Sequence, residues 1–325
     1  MRPIRISDGN VEVLDQRLLP IREKWVKISS YEDAYSAIKT MVVRGAPLIG
    51  VVAAFGLALT APSKDLDAAA TKLKSARPTA INLAWAVDRV LNAAKNSADS
   101  YKAAYNEAMN IFNEELSNAR KIGENGERFF EDGDTVLTHC NAGALATVDY
   151  GTALAPIRIA KERGKKLRVY ATETRPVMQG ARLTTYELLK DGFDVTLIAD
   201  TAVGYTMLMG RIDKVIVGAD RVLRDGTTMN KIGTFQVATM AKRFNIPFYV
   251  ALPSSTLDLV SELKDVKIEE RDSSELTQIR GRRTAPKGVG IYNPAFDITP
   301  PDLITAIITE RGVYYPPFDF TKVGP

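Results

Sequence analysis

Five short apolar runs, TVLTHC, RVYATE, DVTLIA, KVIVGAD and FYVALP, follow the acidic turn at Glu131 to Asp134, and a segment able to hold a helix separates each from the next. Runs that are apolar on both alternating faces need cover on both sides, so the pattern implies a parallel sheet with helices against each face, an α/β fold. Crossovers between such strands are right-handed, and ligands bind beyond the carboxyl ends of the strands. Chemistry is therefore expected in the polar residues just after each run.

The chain before residue 131 reads differently. IRI and VEVL flank the turn signal DGN, an alternation that predicts a short β hairpin. Tyr31 to Met41 has a helical pattern with Ser30 as its N-cap, and Pro47 opens a Gly/Ala/Val-rich segment expected to form a closely packed helix. Leu83, Ala86, Val87, Val90, Leu91 and Ala94 share one face of a helix over Asn82 to Ala94, and a longer helical pattern covers about Ser100 to Phe130 despite Gly123 and Gly126. The expected organisation is a mainly helical N-terminal domain over residues 1–130, with a small β hairpin, and a parallel-sheet domain over residues 131–325.

Composition excludes several function classes. The longest apolar stretch, Ala46 to Ala61, contains Pro47, Gly50 and Gly56 and is shorter than the roughly 20 residues a membrane helix needs. The opening MRPIRISDGN has neither the apolar run nor the small-residue cleavage site of a secretory signal, so no membrane association is expected and the expected location is the cytoplasm. Cys140 is the single cysteine and His139 the single histidine of 325 residues, which leaves no disulfide framework and no Cys/His zinc cage, and no metal is expected. The 43 basic residues exceed the 39 acidic ones by a formal charge of +4, too small and dispersed to indicate nucleic acid but suited to an anionic small molecule. No GxGxxG follows a strand and no Walker loop is present, so no nucleotide cofactor is expected.

Two strand ends offer acid–base groups. Cys140 ends TVLTHC and is followed by NAGALAT, which is expected to lead through Gly143 into a helix whose N-terminus would favour thiolate or bind an anion. His139 precedes it, but alternation along a strand sends the two side chains to opposite faces, so no Cys/His pair is expected. Asp220 follows KVIVGA, where burial or a bound anion would raise its pKa and make it a general acid. An inert buried cysteine and a turn-capping aspartate paired with Arg221 are the competing structural roles. For an anionic group the candidates are Arg44 with Gly45 and Ala46 in RGAP, Arg77 in RPTAINL, and Asn230 with Lys231 before the helical pattern of Ile232 to Arg243.

Taken together, MVVRGAPLIGVVAAFGLAL, RPTAINL, LTHCNAGALAT, TETRPVMQGARLTTYEL, VIVGADRVLRDGTTMNKIGT, PFYVALPSSTLD and NPAFDITPPDLITAIITERG resemble the S-methyl-5-thioribose-1-phosphate isomerases, over about residues 40 to 313. The resemblance implies a helical N-terminal domain and a Rossmann-like C-terminal domain, a homodimer, and an aldose–ketose isomerase of methionine salvage that uses neither metal nor nucleotide. It further implies that Cys140 and Asp220 form the catalytic pair and that Arg44, Gly45, Ala46, Arg77, Gln179, Asn230 and Lys231 bind the sugar phosphate. Gln179 enters only by resemblance. In the expected reaction Asp220 protonates the ring oxygen while the Cys140 thiolate removes the C2 proton, with a hydride shift from C2 to C1 as the alternative. Regulatory subunits of initiation factor two B share the fold, and ribose-1,5-bisphosphate isomerases share Cys- and GAD-containing motifs. A non-catalytic regulator, or an isomerase of ribose 1,5-bisphosphate or 5-deoxyribose 1-phosphate, is therefore the competing reading.

Overall fold

The computed structural model describes residues 1–7, 9–61, 65–77, 80–279 and 281–320. Asp8 of the DGN turn and Pro78 and Thr79 of RPTAINL lie outside the described residues. The expected hairpin is present as β1 (Ile4–Ser7) and β2 (Asn10–Leu14), with Ile4 opposite Val13, and β3 (Trp25–Ile28) extends it into an antiparallel meander. Alternation puts Ile4, Val11, Val13 and Ile28 on the face buried against helices.

Helices α1 (Tyr31–Lys39), α2 (Ala46–Thr60), α3 (Leu66–Lys74), α4 (Ile81–Lys95) and α5 (Ser100–Glu127) follow. The Ser30 side chain accepts from the Asp33 N–H, the cap expected for α1. In α2, thirteen of fifteen residues are buried, so the helix is a central rod without a polar face. Helix α3 was not expected: its buried positions are Ala69, Ala70 and Leu73, and alanine makes a faint apolar stripe. Glycine is tolerated in α5 because that helix passes very close to its neighbour. A Cβ on Gly123 would sit 2.6 Å from Ile159 Cγ1.

The second region comprises β4 (Thr135–Thr138), α6 (Leu154–Glu162), β5 (Arg168–Thr172), α7 (Thr185–Lys190), β6 (Asp194–Ile198), α8 (Val203–Leu208) and β7 (Lys214–Val217). Beyond them come β8 (Arg221–Leu223), β9 (Thr228–Lys231), α9 (Thr234–Arg243), β10 (Phe248–Ala251), β11 (Leu257–Asp258) and α10 (Ser274–Thr277). The chain ends through β12 (Gln278–Ile279), β13 (Arg282–Arg283), β14 (Phe296–Thr299), β15 (Ala306–Thr309) and β16 (Gly312–Tyr314). Among the described residues, β16-β15-β10-β7-β4-β5-β6 form a seven-stranded sheet, parallel except for the edge strand β16. All five expected runs are in it, and the α/β architecture is as expected.

Successive strand residues serve opposite cores. Leu137, Val215, Val217, Phe248 and Val250 pack with Val203, Met207, Val237 and Ala241 of α8 and α9. Their neighbours Val136, Ile216, Tyr249 and Ala251 pack with Leu154, Ile157 and Leu188 of α6 and α7 and with Ile122 of α5. Helix α5 therefore serves two cores, because its Ala104, Ala108 and Ile111 belong to the helical one. From β4 the chain winds outward to β5 and β6, then crosses back to β7 and continues through β10 and β15. The winding reverses between β4 and β7, the position where open α/β sheets leave a crevice at the strands' carboxyl ends.

Candidate active site

Cys140 lies just beyond β4 and Asp220 just beyond β7, on the two sides of that reversal. Both line one cavity of about 310 Å³, together with Arg44, Gly45, Arg77, Gln179 and Lys231. Ala46 and Asn230 line a smaller adjoining cavity that also touches Cys140 and Asp220. All nine residues singled out by sequence are thus brought to one place. Six cationic side chains and two acidic ones line the larger cavity among the described residues, so the modest excess of positive charge is concentrated here. Among the described residues no group of three or more His, Cys, Asp or Glu side chains is placed to hold a metal ion.

The backbone at Cys140 has φ 65°, a left-handed conformation unusual for a residue other than glycine. Two threonines hold it: the Cys140 N–H donates to Thr174 Oγ1 at 2.9 Å, and Thr184 Oγ1 donates to the Cys140 carbonyl at 2.6 Å. The helix expected after Cys140 is absent. Ala144–Ala146 form a single 3₁₀ turn and α6 starts only at Leu154, because the segment between doubles back and the Thr152 N–H is bonded to the Ala142 carbonyl at 2.9 Å. The groups that favour thiolate are then the Arg44 and Lys231 side chains and the backbone N–H of Asn141. Burial pushes the Cys140 thiol up; Arg44 and Lys231 oppose the shift without cancelling it. A neutral thiol is the resting form near pH 7.

Asp220 opens a tight hairpin, its N–H donating to the Met229 carbonyl at 2.9 Å. Its side chain opens to solvent through the cavity, with protein packed around it on the other sides. Burial raises its pKa against the pull of Lys231, Arg44 and Arg77, the direction a general acid requires. Lys231, at the end of β9, is lowered by burial, while Cys140 and Asp220 favour its charge. Its Nζ donates to the Ala295 carbonyl at 2.9 Å and lies 4.5 Å from the centroid of the Phe296 ring. The N-terminus of α9, expected to help hold an anion, is already capped: Asp297 accepts from the Gly233 N–H at 2.7 Å and from the Phe235 N–H at 3.1 Å. Helix α2 differs. It has no side-chain cap, and Gly45 at its start has φ 96° and lies so close to Ala146 that a Cβ would collide with that residue's backbone.

Gln179 is buried next to a π turn over Gly180–Thr184, and its Oε1 has no hydrogen-bond partner among the described residues. Asn230 Nδ2 donates to Thr234 Oγ1 at 3.0 Å, so it also steadies the start of α9. His139 is fully engaged elsewhere, with Nδ1 2.7 Å from Thr172 Oγ1 and Nε2 2.8 Å from the Ile232 carbonyl, in keeping with the expectation of no Cys/His pair. Sequence reasoning missed Arg182 and Arg271, which also line the cavity. It missed the β8–β9 hairpin as well, although Asp225-Gly226 between RVL and TTM is a usable hairpin signal.

The pattern of the initiation factor 2 subunit family matches residues 42–316. Methylthioribose-1-phosphate isomerase of Thermosipho africanus is 52% identical, over 94% of this chain and 93% of that protein. The crystal structure of 5-methylthioribose 1-phosphate isomerase from Pyrococcus horikoshii superposes with a TM-score of 0.91 at 41% identity, over 98% of this chain and 93% of that one. A crystal structure described as translation initiation factor eIF-2B, subunit delta, from A. fulgidus gives a TM-score of 0.90 at 47% identity, with 99% of each chain covered. This chain belongs to the initiation factor 2 subunit family.

Proposed function

We propose that the chain is a cofactor-independent aldose–ketose isomerase that converts 5-methylthioribose 1-phosphate to 5-methylthioribulose 1-phosphate in methionine salvage. The observation that carries this reading is the approach of Cys140 and Asp220, from adjacent parallel strands, to one cavity ringed by cations. The chemical problem is specific. Phosphate on the anomeric oxygen prevents the sugar ring from opening freely to an aldehyde, so a proton must be delivered to the ring oxygen.

Asp220, whose pKa the surrounding protein raises, makes that delivery. The phosphate lies at the uncapped start of α2, where Arg44, Lys231 and the backbone at Gly45 and Ala46 restrain its loss. In the proton route Cys140 thiolate takes the C2 hydrogen as a proton, giving an enediol-like intermediate, and C1 is then reprotonated. The alternative is a second route that makes no use of a thiolate. There the C2 hydrogen moves to C1 as hydride, and the C2 hydroxyl returns a proton to the Asp220 carboxylate as the ketone forms. Reaction in deuterated water separates the two: label at product C1 supports the proton route, and its absence supports the hydride shift.

A regulatory reading finds support in the likeness to the structure described as an initiation factor subunit. Assays with 5-methylthioribose 1-phosphate, ribose 1,5-bisphosphate and 5-deoxyribose 1-phosphate decide between the readings. Turnover preferring the first is expected, whereas no turnover with any would favour regulation. As part of the same proposal the chain acts in the cytoplasm as a homodimer, the exposed side chains Leu197, Tyr205, Leu208 and Met209 around β6 and α8 being suited to a subunit contact. Sedimentation tests that state. The division into residues 1–130 and 131–325 belongs to the proposal too, with α5 shared between the two cores.

A further inference from the structure

Beneath the cavity lies a buried polar chain that the proposed chemistry does not use directly. Glu187 of α7 is fully buried. Its Oε1 accepts from Asn141 Nδ2 at 2.5 Å, and its Oε2 accepts from the Ala144 N–H at 2.7 Å and from Arg158 Nη2 at 2.7 Å. A carboxylate ion only accepts, so it fixes how the Asn141 amide is turned: NH2 towards Glu187, oxygen away. That oxygen accepts from Arg44 Nη1 at 2.5 Å, and the Asn141 backbone carbonyl accepts from Arg44 Nη2 at 2.8 Å. The amide also donates to Thr184 Oγ1 at 3.1 Å, the hydroxyl that holds the Cys140 carbonyl.

We infer that Glu187 is a positioning residue for sugar-phosphate binding: through the donor–acceptor sense of Asn141 it aims the Arg44 guanidinium at the phosphate. The inference rests on the isomerase reading of the cavity. Two of the five guanidinium donor sites are turned inward by Asn141, which leaves the others on a fixed plane for the ligand. If the amide turned over, its NH2 would face Arg44, and a donor would oppose a donor and a cation. Glu187 acts on Arg44 through another side chain and makes no contact with the reacting atoms in this account.

The test is a double-variant cycle that reverses the hydrogen-bond sense. In Glu187→Gln the new NH2 opposes that of Asn141, forcing one amide over. KM for 5-methylthioribose 1-phosphate is expected to rise about tenfold to a hundredfold, the scale of a lost hydrogen bond to a charged group, with a smaller change in kcat. In Asn141→Asp two carboxylates are apposed, and KM is again expected to rise. In the double variant, the glutamine side chain at position 187 keeps the backbone and Arg158 hydrogen bonds through its oxygen. Its NH2 donates to the new carboxylate at position 141, whose other oxygen accepts from Arg44, so KM is expected to return most of the way to wild type. An unchanged KM in folded Glu187→Gln overturns the inference. So does a double variant that regains thermal stability while its KM stays at the single-variant level, because a merely structural network would recover in that way. Should either single variant not fold, the KM of the double variant alone decides, a value near wild type supporting the inference and one raised tenfold or more, roughly, removing it. A wild-type chain that turns over no sugar phosphate would remove the underlying reading and this inference together, whereas an active wild type with no coupling between residues 187 and 141 removes this inference only.

Discussion

The helical region and the sheet region contribute different things to one cavity. From the sheet come the proposed acid–base groups, Cys140 and Asp220, placed where strand winding reverses. From the helical region come groups that hold charge: Arg44 and Gly45 at the start of α2, and Arg77 beyond α3. Parallel strands fix the ends of a sheet rigidly, so proton-transfer groups keep their geometry there. A buried apolar helix supplies an uncapped N-terminus close by, which suits an anion. On this reading the site is a seam: the helical side contributes charge alone, and the sheet side contributes the proposed proton-handling pair together with the Lys231 ammonium.

The largest expected effect falls on the sheet side. Cys140→Ser and Asp220→Asn are each expected to lower kcat by about 10²- to 10⁴-fold while the melting temperature stays near wild type, since proton handling changes and packing scarcely does. Near-normal turnover by either variant would break the division of labour. On the helical side, Arg77→Met should raise KM by about tenfold or more and leave kcat closer to wild type, because the guanidinium lies at the cavity as a charge and not as a proton carrier. A kcat loss as large as that of Asp220→Asn would erase the distinction.

Packing variants sharpen it further. Gly123→Val, at the close contact of α5 with Ile159, is expected to cost about 1–3 kcal/mol of stability in denaturant titration and to leave the kcat of the folded protein unchanged. The smallest effect concerns pH. Burial, with Glu310 and Glu114 adding to it, pushes the Glu115 carboxyl up to about 8. Its folded value thus lies above its unfolded value of 4.5, so its stability contribution is complete below pH 4.5 and is lost as pH rises through about 8. Between neutral and mildly alkaline pH the loss is on the order of 1 kcal/mol, read as a falling melting temperature, and Glu115→Gln should flatten that fall.

Legibility in the sequence also differs between the two sides. Cys140 and Asp220 could be found because each follows a short apolar run, and strand-end logic gives such positions meaning. Arg44 could be found because RGAP announces a turn and a helix start together. The rest depends on contacts between distant segments. Glu187 lies 46 residues from Asn141 and looks like any glutamate in a helix. Arg271 is in a stretch of turns and very short elements, where no periodicity marks one residue above its neighbours. The helix expected after Cys140 failed because the chain folds back on itself there, a tertiary event that leaves no local signal.

The claim at the centre of this account is that an acid from one strand and a thiol from its neighbour act together on one bound sugar phosphate. Phosphorus NMR of 5-methylthioribose 1-phosphate incubated with the wild-type chain, Cys140→Ser and Asp220→Asn tests it most directly. The account predicts that wild type replaces the aldose 1-phosphate resonance with that of a ketose 1-phosphate, while both variants broaden the starting resonance through binding and convert it about a hundredfold or more slower. Conversion at the wild-type rate by either variant would contradict it.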